Sequence, residues 1–219
     1  FETVTRLAPA DADAWYNAGV VHHLLGDLAR AESCYRSAIG AKPSDPEAHR
    51  GHSMLRLLRG DFSTDAWSSF RYRRHCAGFE PTHTRCTAPL WAGEPSEGKT
   101  VLVHGEQGLG DEILFASCYP DLIARAGHCV IETEPRLESL FRRSLPGATV
   151  LGRNREDELA ARYPSVAYHV PCGDLPLRYR TAPADFNGRG PYLKADADAV
   201  ARWRASLARL GPGLKVGVS

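Results

Sequence analysis

The sequence has no excess of charge of either sign: 27 Lys and Arg stand against 26 Asp and Glu, for a net charge of +1. The balance holds along the chain, with ten basic and nine acidic residues as far as Arg74 and seventeen of each beyond it. A binder of phosphate backbones needs a basic face, so nucleic acid is not an expected partner. Long apolar runs are also missing. None approaches the roughly 20 residues that span a bilayer, and no signal-peptide pattern opens the chain. The six cysteines (Cys34, Cys76, Cys86, Cys118, Cys129 and Cys172) include no C-x-x-C pair. Several fall in apolar stretches, where cysteine behaves as a small hydrophobe, and this usage fits a reducing cytoplasm rather than a disulfide framework.

What is present first is a period. Pro9 and Pro43 are 34 residues apart, and Gly26-Asp27 recurs at the same interval as Gly60-Asp61. Between the prolines lie Ala12-Asp13-Ala14-Trp15-Tyr16-Asn17-Ala18-Gly19, then Ala31, Tyr35 and Ala38. Gly19, Ala31 and Ala38 are small where two antiparallel helices must approach, and Trp15 and Tyr35 fill the space beside them. Gly26 suits the turn between the helices and Pro43 stops the second one. The pattern closely resembles the tetratricopeptide repeat. The next unit is degenerate: His49 takes the Trp position, and one extra residue is needed to align Phe70 with Tyr35. Residues 1–74 are therefore expected to hold a partial, a complete and a degenerate repeat, with Phe1–Pro9 closing an earlier unit. Such an array either stacks only on its neighbours or offers a surface to a protein partner or protein substrate.

Residues 75–99 lose periodicity and read as a linker, with Pro81, Pro89 and Pro95. His75, Cys76, His83 and Cys86 fall here, but their spacing matches no closed zinc set, so no metal site is assigned.

From residue 100 apolar runs alternate with helical stripes. Strands are expected over 100–104, 129–131, 148–151 and 166–170. Helices are expected from Asp111, interrupted at Pro120, then from Thr133 as a cap with Pro135 in the first turn, and from Asp196 or Asp198 with Val200, Trp203, Leu207 and Leu210 on one stripe. A last strand is expected over 214–218. The alternation implies a Rossmann-like parallel sheet over residues 100–213, so the whole chain reads as α-helical hairpins followed by an α/β domain.

The first strand runs into Gly105-Glu106-Gln107-Gly108-Leu109-Gly110-Asp111. Its G-x-x-G-x-G spacing is not the dinucleotide fingerprint, and no P-loop Lys-Ser/Thr follows. In an open parallel sheet, ligands lie beyond the carboxyl ends of the strands, where this loop falls. Asp111 either caps the helix or acts as a general base in a crevice. Trp91-Ala92-Gly93, Gly98-Lys99, Glu106-Gln107-Gly108-Leu109-Gly110-Asp111-Glu112, Ser144-Leu145-Pro146-Gly147, Leu175-Pro176, Tyr192-Leu193 and Lys215-Val216-Gly217 follow in an order that resembles bacterial tetratricopeptide-repeat proteins with a GT-B-type glycosyltransferase-like module. That module is distantly similar to heptosyltransferases. The resemblance implies the N-terminal half of a GT-B fold, with residues 214–219 leading to a second domain that binds a nucleotide sugar. It implies Asp111 as the acceptor-side base, and Glu106, Gln107, Gly108 and Gly110 as substrate contacts. No other cofactor is implied, and the fragment alone is expected to be inactive. A non-catalytic interaction scaffold is the alternative.

Overall fold

The computed structural model describes residues 2–79, 86–153, 166–187 and 190–217. A short helix α1 (Glu2–Leu7) packs on α2 (Ala12–Leu24), which pairs with α3 (Leu28–Ala41). α4 (Pro46–Leu58) and α5 (Thr64–Phe70) form the next hairpin, and a 3₁₀ segment Arg71–His75 extends α5. The period seen in the sequence is a period of helix ends. Asp11 and Asp45 cap α2 and α4 by accepting from Ala14 N–H at 3.0 Å and Ala48 N–H at 3.1 Å. Gly26 and Gly60 turn the chain at φ +79° and +82°, a conformation that favours glycine.

The expected close approach is present. Ala31 and Ala38 are fully buried, and a Cβ on Gly19 would stand 2.7 Å from the Tyr35 ring. Tyr35 is buried beside them, whereas Trp15 stays half-buried and donates its indole N–H to Pro9 O at 2.9 Å.

The α/β part is a four-stranded parallel sheet in the order β3-β2-β1-β4, from β1 (Thr100–His104), β2 (His128–Thr133), β3 (Thr149–Gly152) and β4 (Val166–Pro171). Val101, Val103, Cys129, Ile131, Val150 and Val170 face one layer, where Phe115, Leu122, Leu137 and Phe141 cover them. Leu102, Val130 and Leu151 are buried on the other face. The expected break at Pro120 occurs. α6 (Leu109–Phe115) gives way to a 3₁₀ turn, and α7 (Tyr119–Ile123) restarts with Pro120 in its first turn, where a missing N–H costs nothing. α8 (Pro135–Ser144) follows β2; α9 (Pro176–Tyr179) and α10 (Ala197–Ala208) come after β4. Among the described residues, no helix is long and apolar enough to cross a membrane.

Four expectations are corrected. Thr133 does not cap α8: it ends β2, buried, and its hydroxyl donates to Glu112. Of the strand expected over 214–218, residues 214–217 form none and residue 218 lies outside the described residues; Leu214 is 93% exposed, and among the described residues no strand lies beside it to supply a ladder. The stripe on α10 buries nothing, with Trp203 67% and Leu210 70% exposed, while Asp196 does cap the helix through Ala199 N–H at 2.7 Å. The stretch after residue 75 is not all free linker either. Pro89 and Trp91 bond His169 of β4 (Trp91 N–H to His169 O at 2.8 Å), which covers that sheet edge.

The second helical hairpin packs on the sheet layer. Trp67 belongs to the core of the sheet layer, Phe70 and Leu57 pack against it, and the Trp67 indole N–H donates to Arg180 O at 2.7 Å. The second hairpin and the sheet share one core, while Ala31 and Tyr35 of the first hairpin pack in a separate cluster with Leu55.

Candidate functional site

Chain order turns at β1: β2 and β3 lie to one side of it and β4 to the other. The carboxyl ends of β1 and β4 therefore frame the switch point where open α/β sheets usually take ligands. Here that crevice holds a side chain from the 3₁₀ segment that extends α5. Arg73 is 2% exposed. It donates to Glu106 Oε1 from Nε at 2.8 Å and to Asp174 Oδ1 from Nη2 at 2.9 Å. Arg71 adds a bond to Asp174 Oδ2 at 3.1 Å. Gly173 makes the meeting possible, because a Cβ there would overlap Glu106 and stand 2.7 Å from Arg73 Nη2.

Glu106, expected among the substrate contacts, is thus 1% exposed and engaged by Arg73. Burial pushes its carboxyl above the ordinary range, and the Arg73 charge only partly offsets this. Its chemistry here is to fix the loop. Glu112 is equally buried and accepts from the Thr133 hydroxyl, Arg153 and, at 3.0 Å, Glu134 N–H. The Glu-to-Glu span is therefore held at both ends by buried carboxylates on different partners.

Between those anchors the loop is accessible. Gln107 has φ +60°, left-handed backbone that costs a non-glycine residue about 1 kcal/mol or more. Gln107, Gly108 and Gly110 are exposed and Asp111 is half-buried. Asp111 does not open the helix but sits in its first turn, accepting from Gly108 N–H at 3.1 Å. Of the loop's three carboxylates, it is the one within reach of a ligand.

Asp111 also lines a cavity of about 440 Å³ that neither half of the chain builds alone. Met54 and Leu58 of α4 and Trp67 and Phe70 of α5 form one wall, and Leu114 and Phe115 of α6 form the other. Leu58 and Leu114 remain 64% and 63% exposed, so the groove presents apolar surface to solvent. It adjoins a second cavity of about 560 Å³ toward Tyr192. Arg180 lines both, with its guanidinium tied to Asp121 at 3.0 Å and to Ser117 O. No motif in the sequence points to this groove, since its facing walls come from segments about 40 residues or more apart in the chain.

His75, Cys76 and Cys86 do not gather into a metal cluster: among the described residues, no three His, Cys, Asp or Glu side chains do, and His83 lies outside those residues.

The repeat itself is identified by comparison. Residues 12–45 match the family model of the tetratricopeptide repeat. Over its whole length the chain is 27% identical, across 236 aligned positions, to Protein FlbA of Caulobacter vibrioides. The chain spans 39% of that protein's length.

Proposed function

We propose that this chain is the acceptor-binding part of a GT-B-type glycosyltransferase, and that its repeat helices hold a protein acceptor against the sheet domain. The observation that carries the reading is the position of Asp111, the accessible carboxylate of the glycine loop, on the wall of an apolar groove shared by repeat and sheet. An acceptor segment seated on Met54, Leu58 and Leu114 would bring a hydroxyl to Asp111. The carboxylate takes the hydroxyl proton as the oxygen bonds to the anomeric carbon of the sugar, and the bond to the nucleotide breaks. Gly108 N–H orients the carboxylate through the bond at 3.1 Å. The nucleotide sugar would be bound by a second domain beyond Ser219, as the resemblance implies.

The test is sugar transfer by the full-length protein with a panel of nucleotide sugars, comparing the parent with Leu114→Arg. Leu114 is 63% exposed, so the variant folds normally and blocks the groove. Transfer should be lost while donor binding is retained. A parent that consumes no nucleotide sugar overturns the enzymatic reading.

An interaction scaffold is the second reading. The observation favouring it is that Arg73, a protein side chain, fills the crevice at the switch point.

A further inference from the structure

The Asp111 loop is anchored unequally. At its far end Glu112 is held by Thr133, Glu134 and Arg153, all within the sheet domain. At its near end Glu106 is held by Arg73, which belongs to the repeat. Between the anchors, Gly108 and Gly110 offer no side chain to pack, and Gln107 sits in left-handed backbone at φ +60°. Leu109 packs against the sheet-layer core, but Gln107 and Gly108 before it, exposed and without packing of their own, take their shape from the anchor at Glu106. Arg73 also reaches the groove wall through Phe70. Its guanidinium lies 4.5 Å from the Phe70 ring centroid and its Nη1 donates to Phe70 O at 3.2 Å, and Phe70 lines the cavity beside Asp111.

We infer that Arg73 is a positioning residue for the Asp111 loop: the last turn of the repeat sets the loop's conformation from across the domain boundary. The repeat is then part of the site rather than a detachable recruiting arm. For its consequence in catalysis this rests on the reading of Asp111 as the acceptor-side base, but the positioning itself does not. A merely stabilising role for the Arg73–Glu106–Asp174 cluster makes a different prediction, because loss of such a contact loosens the whole shared core.

Hydrogen exchange on the full chain separates the two. In Arg73→Met, amides of residues 106–112 should exchange about tenfold faster or more, while Val130 and Ile131 in β2 stay as protected as in the parent. Glu106→Gln should show the same local pattern. Arg56→Met is the control: Arg56 is bound to Asp61 and Asp65 within the repeat, and its loss should leave the loop unchanged. If Arg73→Met does not fold, Arg73→Lys keeps the charge, loses the planar fork, and carries the test with Glu106→Gln. Unchanged loop exchange, or equal acceleration in loop and β2, overturns the inference. In a full-length protein that transfers sugar, Arg73→Lys should lower kcat with the donor KM unchanged. A full-length parent without transfer activity removes the catalytic reading and leaves the exchange result to decide the positioning.

Discussion

The carboxylate of Glu112 occupies the space that a side chain on Gly105 would need. Gly105 follows β1 and donates its N–H to Glu132 O at 2.8 Å, and Glu112 lies one turn into α6, so the contact locks the helix onto the strand it follows. Gly105→Ala should displace a buried carboxylate that accepts three hydrogen bonds. The expected loss is about 1–3 kcal/mol, read as a lower urea midpoint at an unchanged slope. A parental midpoint would mean that Glu112 repacks freely.

The first helical hairpin should be as intolerant of volume. Ala31 is fully buried beside Tyr35 and Leu55, so Ala31→Leu adds three carbons to a filled contact and should cost about 1–3 kcal/mol. Gly19→Ala should also destabilise, because its new methyl meets the Tyr35 ring at 2.7 Å. Equal denaturant midpoints for parent and variants would contradict the close packing.

How far the sequence could be read depends on the range of the interaction. The period was legible because each repeat closes local contacts. His49, which replaces the Trp position, even keeps its bond: Nε2 pairs with Pro43 O at 2.8 Å, as Trp15 Nε1 pairs with Pro9 O at 2.9 Å. The strands were legible as apolar runs, and each one expected before residue 214 is found within two residues of its place. The site was not legible in the same way. Glu106 and Asp111 look equivalent in the motif, and only a partner 33 residues earlier, Arg73, makes one a buried anchor and leaves the other in the groove. The amphipathic stripe of α10 misled for the converse reason: spacing predicts a helix but does not supply a surface for it to cover.

Two carboxylates should give opposite pH signatures. Burial pushes the Asp45 carboxyl upward, but the Lys42 ammonium and the Ala48 N–H together bring it below its ordinary value. Its contribution is complete above the unfolded value of about 3.9 and is lost as pH falls from there through the folded value. Glu106 is raised, so the folded state holds its proton longer; stability falls as pH rises from about 4.3, the unfolded value, through the folded one. Stability measured against pH should therefore fall less steeply in acid for Asp45→Asn. For Glu106→Gln, the decline on raising the pH above about 4.3 should shrink. The same slope in parent and variants would remove these residues as the cause.

Asp111→Asn in the full-length protein is the decisive substitution for the proposed chemistry. Asn has the size of Asp and its side-chain oxygen can still accept from Gly108 N–H, now 3.1 Å away, so the first turn of α6 should persist. The stability change should stay within about 1 kcal/mol, as for exchanges among good capping residues. Donor binding, assigned to another domain, should be unchanged. What Asn cannot do is accept a proton, so transfer should fall by about 10²–10⁴-fold. Glu106→Gln and Glu112→Gln are informative controls because both carboxylates are 1% exposed and out of reach of an acceptor. Any loss of rate in them should come with lower stability or a loosened loop, whereas Asp111→Asn should lose rate with neither. Normal turnover in Asp111→Asn would reduce this residue to a cap on α6, and the groove beside it would then be a docking surface without a base.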